Sequence, residues 1–276
     1  MTRFAAPAHK PRNPRVNESV EPIKIFDDVY FIGRVGVGVF AVTTSEGIVL
    51  IDAMDPIDAD EKHIIPGLEA LGLNPADIKL IIITHGHGDH YEGARRLQER
   101  YDCDVALSLR DCANMVTDSF HGDLPEFPYI SMILEDQKPI VVGDHTFLPV
   151  LCPGHTPGGM SLIWNCSDNG EKHMVSLWVG AGVPRPVPNV AFQLNACTQF
   201  VNSLYYFWGV CEKNDCDVVL GVHPHRCDLF PKAEKLALRK EGDPNPFVVG
   251  KEGVKANIRT LAESIFAKMG EIFAEL

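Results

Sequence analysis

Residues 78–90 read Ile78-Lys79-Leu80-Ile81-Ile82-Ile83-Thr84-His85-Gly86-His87-Gly88-Asp89-His90. The first six are apolar apart from Lys79 and rich in isoleucine, the pattern of a strand buried on both faces. The run stops at Thr84, and three histidines and one aspartate follow within six residues. A rigid strand end feeding a loop can turn several side chains toward one point, and Gly86 and Gly88 permit backbone angles that other residues resist. Imidazole and carboxylate together suit zinc. The spacing His-x-His-x-Asp-His sets this stretch apart from a surface loop that happens to be rich in histidine. Four donors in one short loop do not all reach one ion with good geometry, so a second ion, or ligands from elsewhere, is expected.

Outward from this loop the chain alternates strands and helices. Upstream, residues 1–20 read as a flexible arm rich in Pro, Asn and Arg. The apolar runs 23–26, 29–32, 39–43 and 48–51 then predict a meander of strands. Residues 60–71 have helical spacing, with Pro66-Gly67 expected to kink or split the helix. Downstream, a helix is expected over 92–100, a strand over 105–109 and a loop over 119–139. Strands at about 146–152, 160–165 and 174–179 follow, then a helix over 195–212, a strand over 217–222, and helices over 231–240 and 254–274. No linker separates the halves. Two mixed sheets packed face to face with helices outside, an α/β sandwich in one domain over 21–276, satisfy this order.

Two further histidines sit where ligands could come from. His155 lies in Cys152-Pro153-Gly154-His155-Thr156-Pro157-Gly158-Gly159, a tight turn between expected strands. His223 ends the apolar run Val218 to Val222, and His225 follows beyond Pro224, where the strand has stopped. Standing alone, either of the last two reads as a solvated or capping histidine. Asp52, after Leu50-Ile51, reads alone as a strand-ending turn residue.

Together, the His-x-His-x-Asp-His loop and the Gly-His-Thr-Pro-Gly turn resemble the signature of the metallo-β-lactamase superfamily, in matching order over residues 22–275. Glu21-Pro22, Leu50-Ile51-Asp52 and Asn245-Pro246-Phe247 make the chain most similar to the third subclass of metallo-β-lactamases, whose two zinc sites use His and Asp without cysteine. The resemblance implies an αββα sandwich with the metals at one edge. It implies that His85, His87 and His155 bind a first zinc and that Asp89, His90 and His223 bind a second, each ion keeping an open position. It places Asp52 behind the histidine loop as a buttress. Most of the superfamily carries a bridging aspartate after the strand that follows the Gly-His-Thr-Pro turn. Here Trp178-Val179-Gly180-Ala181-Gly182-Val183 has no carboxylate, as in the third subclass, which argues against glyoxalase-type thioesterases, persulfide dioxygenases and di-iron flavoproteins.

The expected chemistry is attack on a cyclic amide or ester carbonyl by a hydroxide shared between two zinc ions, which lower the pKa of water toward ~7, with Asp89 orienting it. A β-lactamase-like amide hydrolase leads; a lactonase or other ester hydrolase on the same site is the alternative. The complete set of six ligands argues against a non-catalytic metal-binding protein. Serines that hold the antibiotic carboxylate in the third subclass correspond here to Ala181 and Val183, and Arg185 or Arg226 could replace them. Phe120, Phe127, Tyr129, Phe192, Tyr205, Tyr206 and Trp208 are candidates for a substrate wall, the loop set first.

Bulk properties narrow the partners. The chain has 276 residues, 45% hydrophobic and 22% charged, with a formal net charge of −12. An acidic surface repels phosphate backbones, so a small-molecule substrate rather than nucleic acid is expected. No stretch is apolar enough to cross a bilayer. Residues 1–17 contain no apolar leader core, so a cytoplasmic location is expected, or a periplasmic or secreted one if a leader was trimmed. The eight cysteines form no Cys-x-x-Cys pair and read as reduced thiols. Cys152 and Cys227 stand close to ligands in the chain and read as structural.

Overall fold

Strand β4 (Gly47–Ile51) shows how the sandwich is built. Its Val49 and Ile51 point into one core with Phe31, Phe40, Leu80 and Ile82. Ile48 and Leu50 point into a second core with Ile81, Ile83, Ile65, Leu68 and Leu97. The period is two with both faces apolar, so the strand must be covered on both sides.

A computed structural model describes residues 14–117, 127–183 and 190–274. Among them, β1 (Ser19–Lys24), β2 (Val29–Arg34), β3 (Gly38–Thr44), β4, β5 (Ile78–Ile82), β6 (Asp104–Ser108) and β7 (Met132–Leu134) form one sheet in sequence order. Pairing is antiparallel from β1 to β4 and parallel from β4 to β7. The second sheet holds β8 (Ile140–Val142), β9 (His145–Leu151), β10 (Met160–Asp168), β11 (Glu171–Trp178) and β12 (Val218–Gly221), in the order β12-β11-β10-β9-β8. It is antiparallel apart from β11 with β12.

The helices are α1 (Ile65–Ala70), α2 (Gly88–Tyr91), α3 (Ala94–Tyr101), α4 (Leu109–Thr117), α5 (Val190–Lys213), α6 (Leu229–Ala237) and α7 (Gly250–Ala274). Helices α1 and α3 cover the outer face of the first sheet. Helices α5 and α7 pack on the second, through Phe200, Leu204 and Phe207 of one and Ile258, Leu261 and Ile265 of the other. The expected αββα sandwich of two mixed sheets is the observed one.

The structure differs from the sequence reading at several boundaries. Regular structure starts before residue 21: Pro14–Asn17 form a 3₁₀ turn and β1 begins at Ser19, where Val35 and Gly36 donate N–H bonds to Glu18 and Val16. Of the expected arm, residues 1–13 lie outside the described residues. The helix expected over 60–71 is a π-helical turn, Asp60–Ile64, running into α1. Pro66 falls in the first turn of α1, where a missing N–H costs little. Helix α4 has no counterpart in the sequence reading, and β7 falls within the expected 119–139 loop. Three residues are too few to show a period, so β7 leaves no signal in the sequence. Among the described residues no helix is long and apolar enough to cross a membrane.

The topology sets the site. Parallel strands β4, β5 and β6 bring their C-terminal ends to one edge, the place where open α/β sheets bind ligands. There the Met160 N–H, at the start of β10, donates to the Thr84 carbonyl at 2.8 Å and joins the two sheets.

Candidate metal centre

The loop after β5 is held from below by Asp52. This residue follows β4 with φ 67°, a conformation aspartate tolerates better than most, and is fully buried. Its Oδ1 accepts the Thr84 N–H at 2.7 Å, and its Oδ2 accepts the Thr84 hydroxyl at 3.0 Å and His90 Nδ1–H at 2.7 Å. Because the Thr84 proton is spent on Asp52, His85 Nδ1–H donates to Thr84 Oγ1 at 3.1 Å. His85 therefore presents an unprotonated Nε2 to the cleft.

His155 arrives from the β9–β10 turn in the same state. Its Nδ1 bonds the Gly182 carbonyl, which can only accept, so its Nε2 carries the lone pair. The His155 and His85 Nε2 atoms stand 3.1 Å apart, and His87 Nδ1 stands 3.1 Å from the same His85 atom. Two lone pairs facing each other at this distance repel; a cation between them turns the contact attractive. Burial, with His90 and His155 nearby, holds the His85 imidazole well below its ordinary pKa. Burial and His87 bring His155 down to about 3. Both rings are neutral at physiological pH, as ligands must be. The donor set thus fits a metal ion.

Asp89, His90 and His223 make a second group, and in each group the ligand atoms lie within 4.8 Å of one another. His223 Nδ1–H donates to the Gly36 carbonyl in the β2–β3 turn at 3.0 Å, which turns its Nε2 toward Asp89 Oδ2, 3.9 Å away. Burial and His90 lower His223 to about 4. Burial pushes the Asp89 carboxyl up, but His90 and His223 outweigh it and bring it to about 2. Burial pushes His90 down, but the Asp89 and Asp52 carboxylates overcome it and raise it to about 9. His90 Nε2 is buried without a hydrogen-bond partner, 3.6 Å from Asp89 Oδ2.

These values have a measurable consequence. At pH 7.5 the metal-free His90 keeps a proton that an incoming ion must displace. Filling the second group is expected to release about one proton per chain, and the release fades as pH rises through about 9, where His90 is already neutral. Calorimetry in buffers of different ionisation enthalpy measures this. No release at pH 7.5 would mean that His90 is uncharged before metal enters.

The structure thus brings His85, His87 and His155 together, and Asp89, His90 and His223 beside them, with Asp52 beneath. His225 is exposed and in neither group. Cys152 and Cys227 are buried in the core, and burial pushes each thiol up to about 12. Phe127 is not a free rim residue: its ring stands 5.9 Å from Tyr91, against the sheet–helix core. Tyr129 and Phe192 are 76% and 68% exposed, and Trp208 packs on the core. Phe120 and Arg185 lie outside the described residues. Sequence reading passed over Asp111, a buried carboxylate in no motif, and the Gly182 and Gly36 carbonyls, which any residue type could supply.

Comparison with known proteins agrees with this geometry. The metallo-beta-lactamase superfamily profile matches residues 32–168. A hydroxyacylglutathione hydrolase of Bdellovibrio bacteriovorus is 28% identical over 165 residues, 60% of this chain; the match spans 52% of that relative's length. The N-acyl homoserine lactonase AttM of Azorhizobium caulinodans is 24% identical over 197 residues, 66% of this chain and 72% of the relative. Among solved structures, BJP-1, a subclass B3 metallo-beta-lactamase of Bradyrhizobium japonicum, superposes with a TM-score of 0.76 at 24% identity, covering 95% of this chain and 98% of that one. On the fold, the two donor groups and the family match, the chain carries a metallo-beta-lactamase superfamily domain and shares the fold of subclass B3 enzymes.

Proposed function

We propose that the protein is a dizinc hydrolase that opens a cyclic amide of the β-lactam type. The observation that carries the reading is the pair of adjacent three-donor groups, made of imidazole and carboxylate without thiolate. His85, His87 and His155 would hold the first ion and Asp89, His90 and His223 the second. When bound, the two ions supply Lewis acidity, lowering the pKa of water toward ~7 and polarising a carbonyl.

The chain's own groups set the rest. Asp89, ionised at neutral pH, accepts a hydrogen bond from the attacking water and orients it without storing its proton. Asp52 holds His90 in the tautomer that leaves Nε2 toward Asp89. The Gly182 carbonyl leaves His155 Nε2 toward His85, and the Gly36 carbonyl leaves His223 Nε2 toward Asp89. With the Cys152 and Cys227 thiols protonated, the attack needs no covalent nucleophile from them.

Substrate charge is read by Arg226. It follows His223 by three residues, its Nε is buried without a partner, and burial lowers its pKa with no carboxylate opposing. Its guanidinium lies against Gly182, 3.3 Å from where a Cβ would stand. A half-buried cation beside the centre, with no carboxylate paired to it among the described residues, favours a substrate that carries a carboxylate. The neighbouring Ala181 and Val183 add no hydroxyl donor. One lost bond to a charged group costs about 1.5–3 kcal/mol, or roughly ten- to a hundredfold in rate. Activity on penicillins, cephalosporins and carbapenems is therefore expected to be real but modest.

An Arg226→Ala chain is expected to lose about tenfold more in kcat/KM on these anionic substrates and to leave uncharged lactones unchanged. Steady-state kinetics on β-lactams, homoserine lactones and simple esters test both points. A lactone preferred over every β-lactam would overturn the cyclic-amide reading in favour of the ester hydrolase that the likeness to AttM supports. Catalytic efficiency near the diffusion limit on several β-lactams would make antibiotic cleavage the primary function.

A further inference from the structure

We infer that Asp111 is the positioning residue of the first metal group, clamping together the two loops that carry His85, His87 and His155. The inference rests on the metal-centre reading above. Asp111 lies in the first turn of α4 and is fully buried. Its Oδ2 accepts the Gly86 N–H at 2.8 Å and the Thr156 hydroxyl at 2.7 Å. Its Oδ1 accepts the Gly158 N–H at 2.7 Å. Gly86 stands between His85 and His87, and Thr156 follows His155, so one carboxylate ties the backbones of both ligand loops to one point.

The end of β6 completes the clamp. The Ser108 hydroxyl donates to the Gly158 carbonyl at 2.6 Å and accepts the Asp111 N–H at 3.2 Å. The glycines of both motifs fit this purpose. A Cβ at residue 86 would stand 2.7 Å from the Asp111 carbonyl oxygen. One at residue 158 would stand 2.7 Å from the Asp111 nitrogen and run into Ser108 Oγ. Gly86 and Gly158 therefore let the loops approach α4 closely enough for the carboxylate to reach both.

Only an acceptor at both oxygens satisfies this arrangement. In Asp111→Asn the amide NH₂ meets the Gly158 N–H in one orientation and the Gly86 N–H in the other, so the isosteric change must release either loop from the clamp. A group that orients ligands is worth roughly ten- to a hundredfold in metal affinity.

The test titrates zinc against a competing chelator in wild type, Asp111→Asn and Thr156→Val, with thermal unfolding of each metal-free chain. Proton NMR of the cobalt-loaded chains reads the shifted imidazole N–H signals of each group. In Asp111→Asn, affinity of the first group is expected to fall about ten- to a hundredfold. The His85, His87 and His155 signals shift or vanish, while the second group keeps its affinity and the His90 and His223 signals stay. Thr156→Val, which keeps both backbone bonds, is expected to lose a few-fold at the first group only, and carries the test if Asp111→Asn does not fold. Wild-type affinity at both groups, or equal loss at both in step with a lower unfolding temperature, overturns the clamp alone. A wild-type chain that takes up no metal overturns the metal-centre reading and the clamp with it.

Discussion

Stripping the chain with a chelator is expected to lower hydrolysis by about a thousandfold or more, and two equivalents of zinc are expected to restore it. The size follows from what is removed. Charge stabilisation by bound metal contributes several kcal/mol to a transition state, and each 1.36 kcal/mol is a factor of ten. Among the described residues, none of the groups at the centre can stand in for it. The Cys152 and Cys227 thiols are buried and protonated, and Asp89, with a pKa of about 2, is too weak a base to take a proton from free water at neutral pH. Metal analysis of protein purified without chelator, combined with activity during zinc titration, measures the effect. Restoration that is complete at one equivalent would overturn the two-metal mechanism, and iron in place of zinc would redirect the chemistry toward redox.

The second large effect separates two histidines that sequence places two residues apart. His223→Ala is expected to lower kcat/KM by at least about a hundredfold, because it removes a ligand atom from a group of three. His225→Ala is expected to stay within about twofold: its exposed ring lies 5.9 Å from that of His223 but supplies no atom to either donor group. The difference is one of direction. The His223 ring is turned inward by its bond to the Gly36 carbonyl, whereas His225 sits past Pro224 in a 3₁₀ turn and faces out. Zinc stoichiometry should fall toward one in His223→Ala and stay at two in His225→Ala. If His225→Ala proves the more damaging, the second group is wrongly assigned, while the first group stands.

Much of the centre is legible in the sequence because much of it is local. His85, His87, Asp89 and His90 are neighbours whatever the rest of the chain does, and the isoleucine run before them says that a rigid strand presents them. The strands themselves are visible for the same reason: Ile48 to Ile51 and Ile78 to Ile83 must be covered on both faces. Less is legible where an element is short or its period is broken. Strand β7 has three residues, and α4 starts at Leu109, directly after the last residue of β6, with no turn residue to mark the change. Phe127 looks like a rim aromatic in a polar loop and is instead packed near Tyr91.

By itself, then, the sequence determined the strand that ends in a donor-rich loop, the sandwich that strand requires, and the ligand types. These follow from residue chemistry and from neighbours a few bonds apart, where covalent geometry leaves little choice. Only the tertiary structure decided which distant side chains join them and how each ring faces. His155 lies 70 residues from His85, and the Gly36 carbonyl that aims His223 lies 187 residues from it. Those distances close only when the two sheets pack, through burial of side chains unrelated to the site. The same holds for Asp111, which reaches Gly86 and Gly158 across 25 and 47 residues. Which imidazole nitrogen keeps its lone pair depends on an acceptor met in space, and a backbone carbonyl has no residue identity to read.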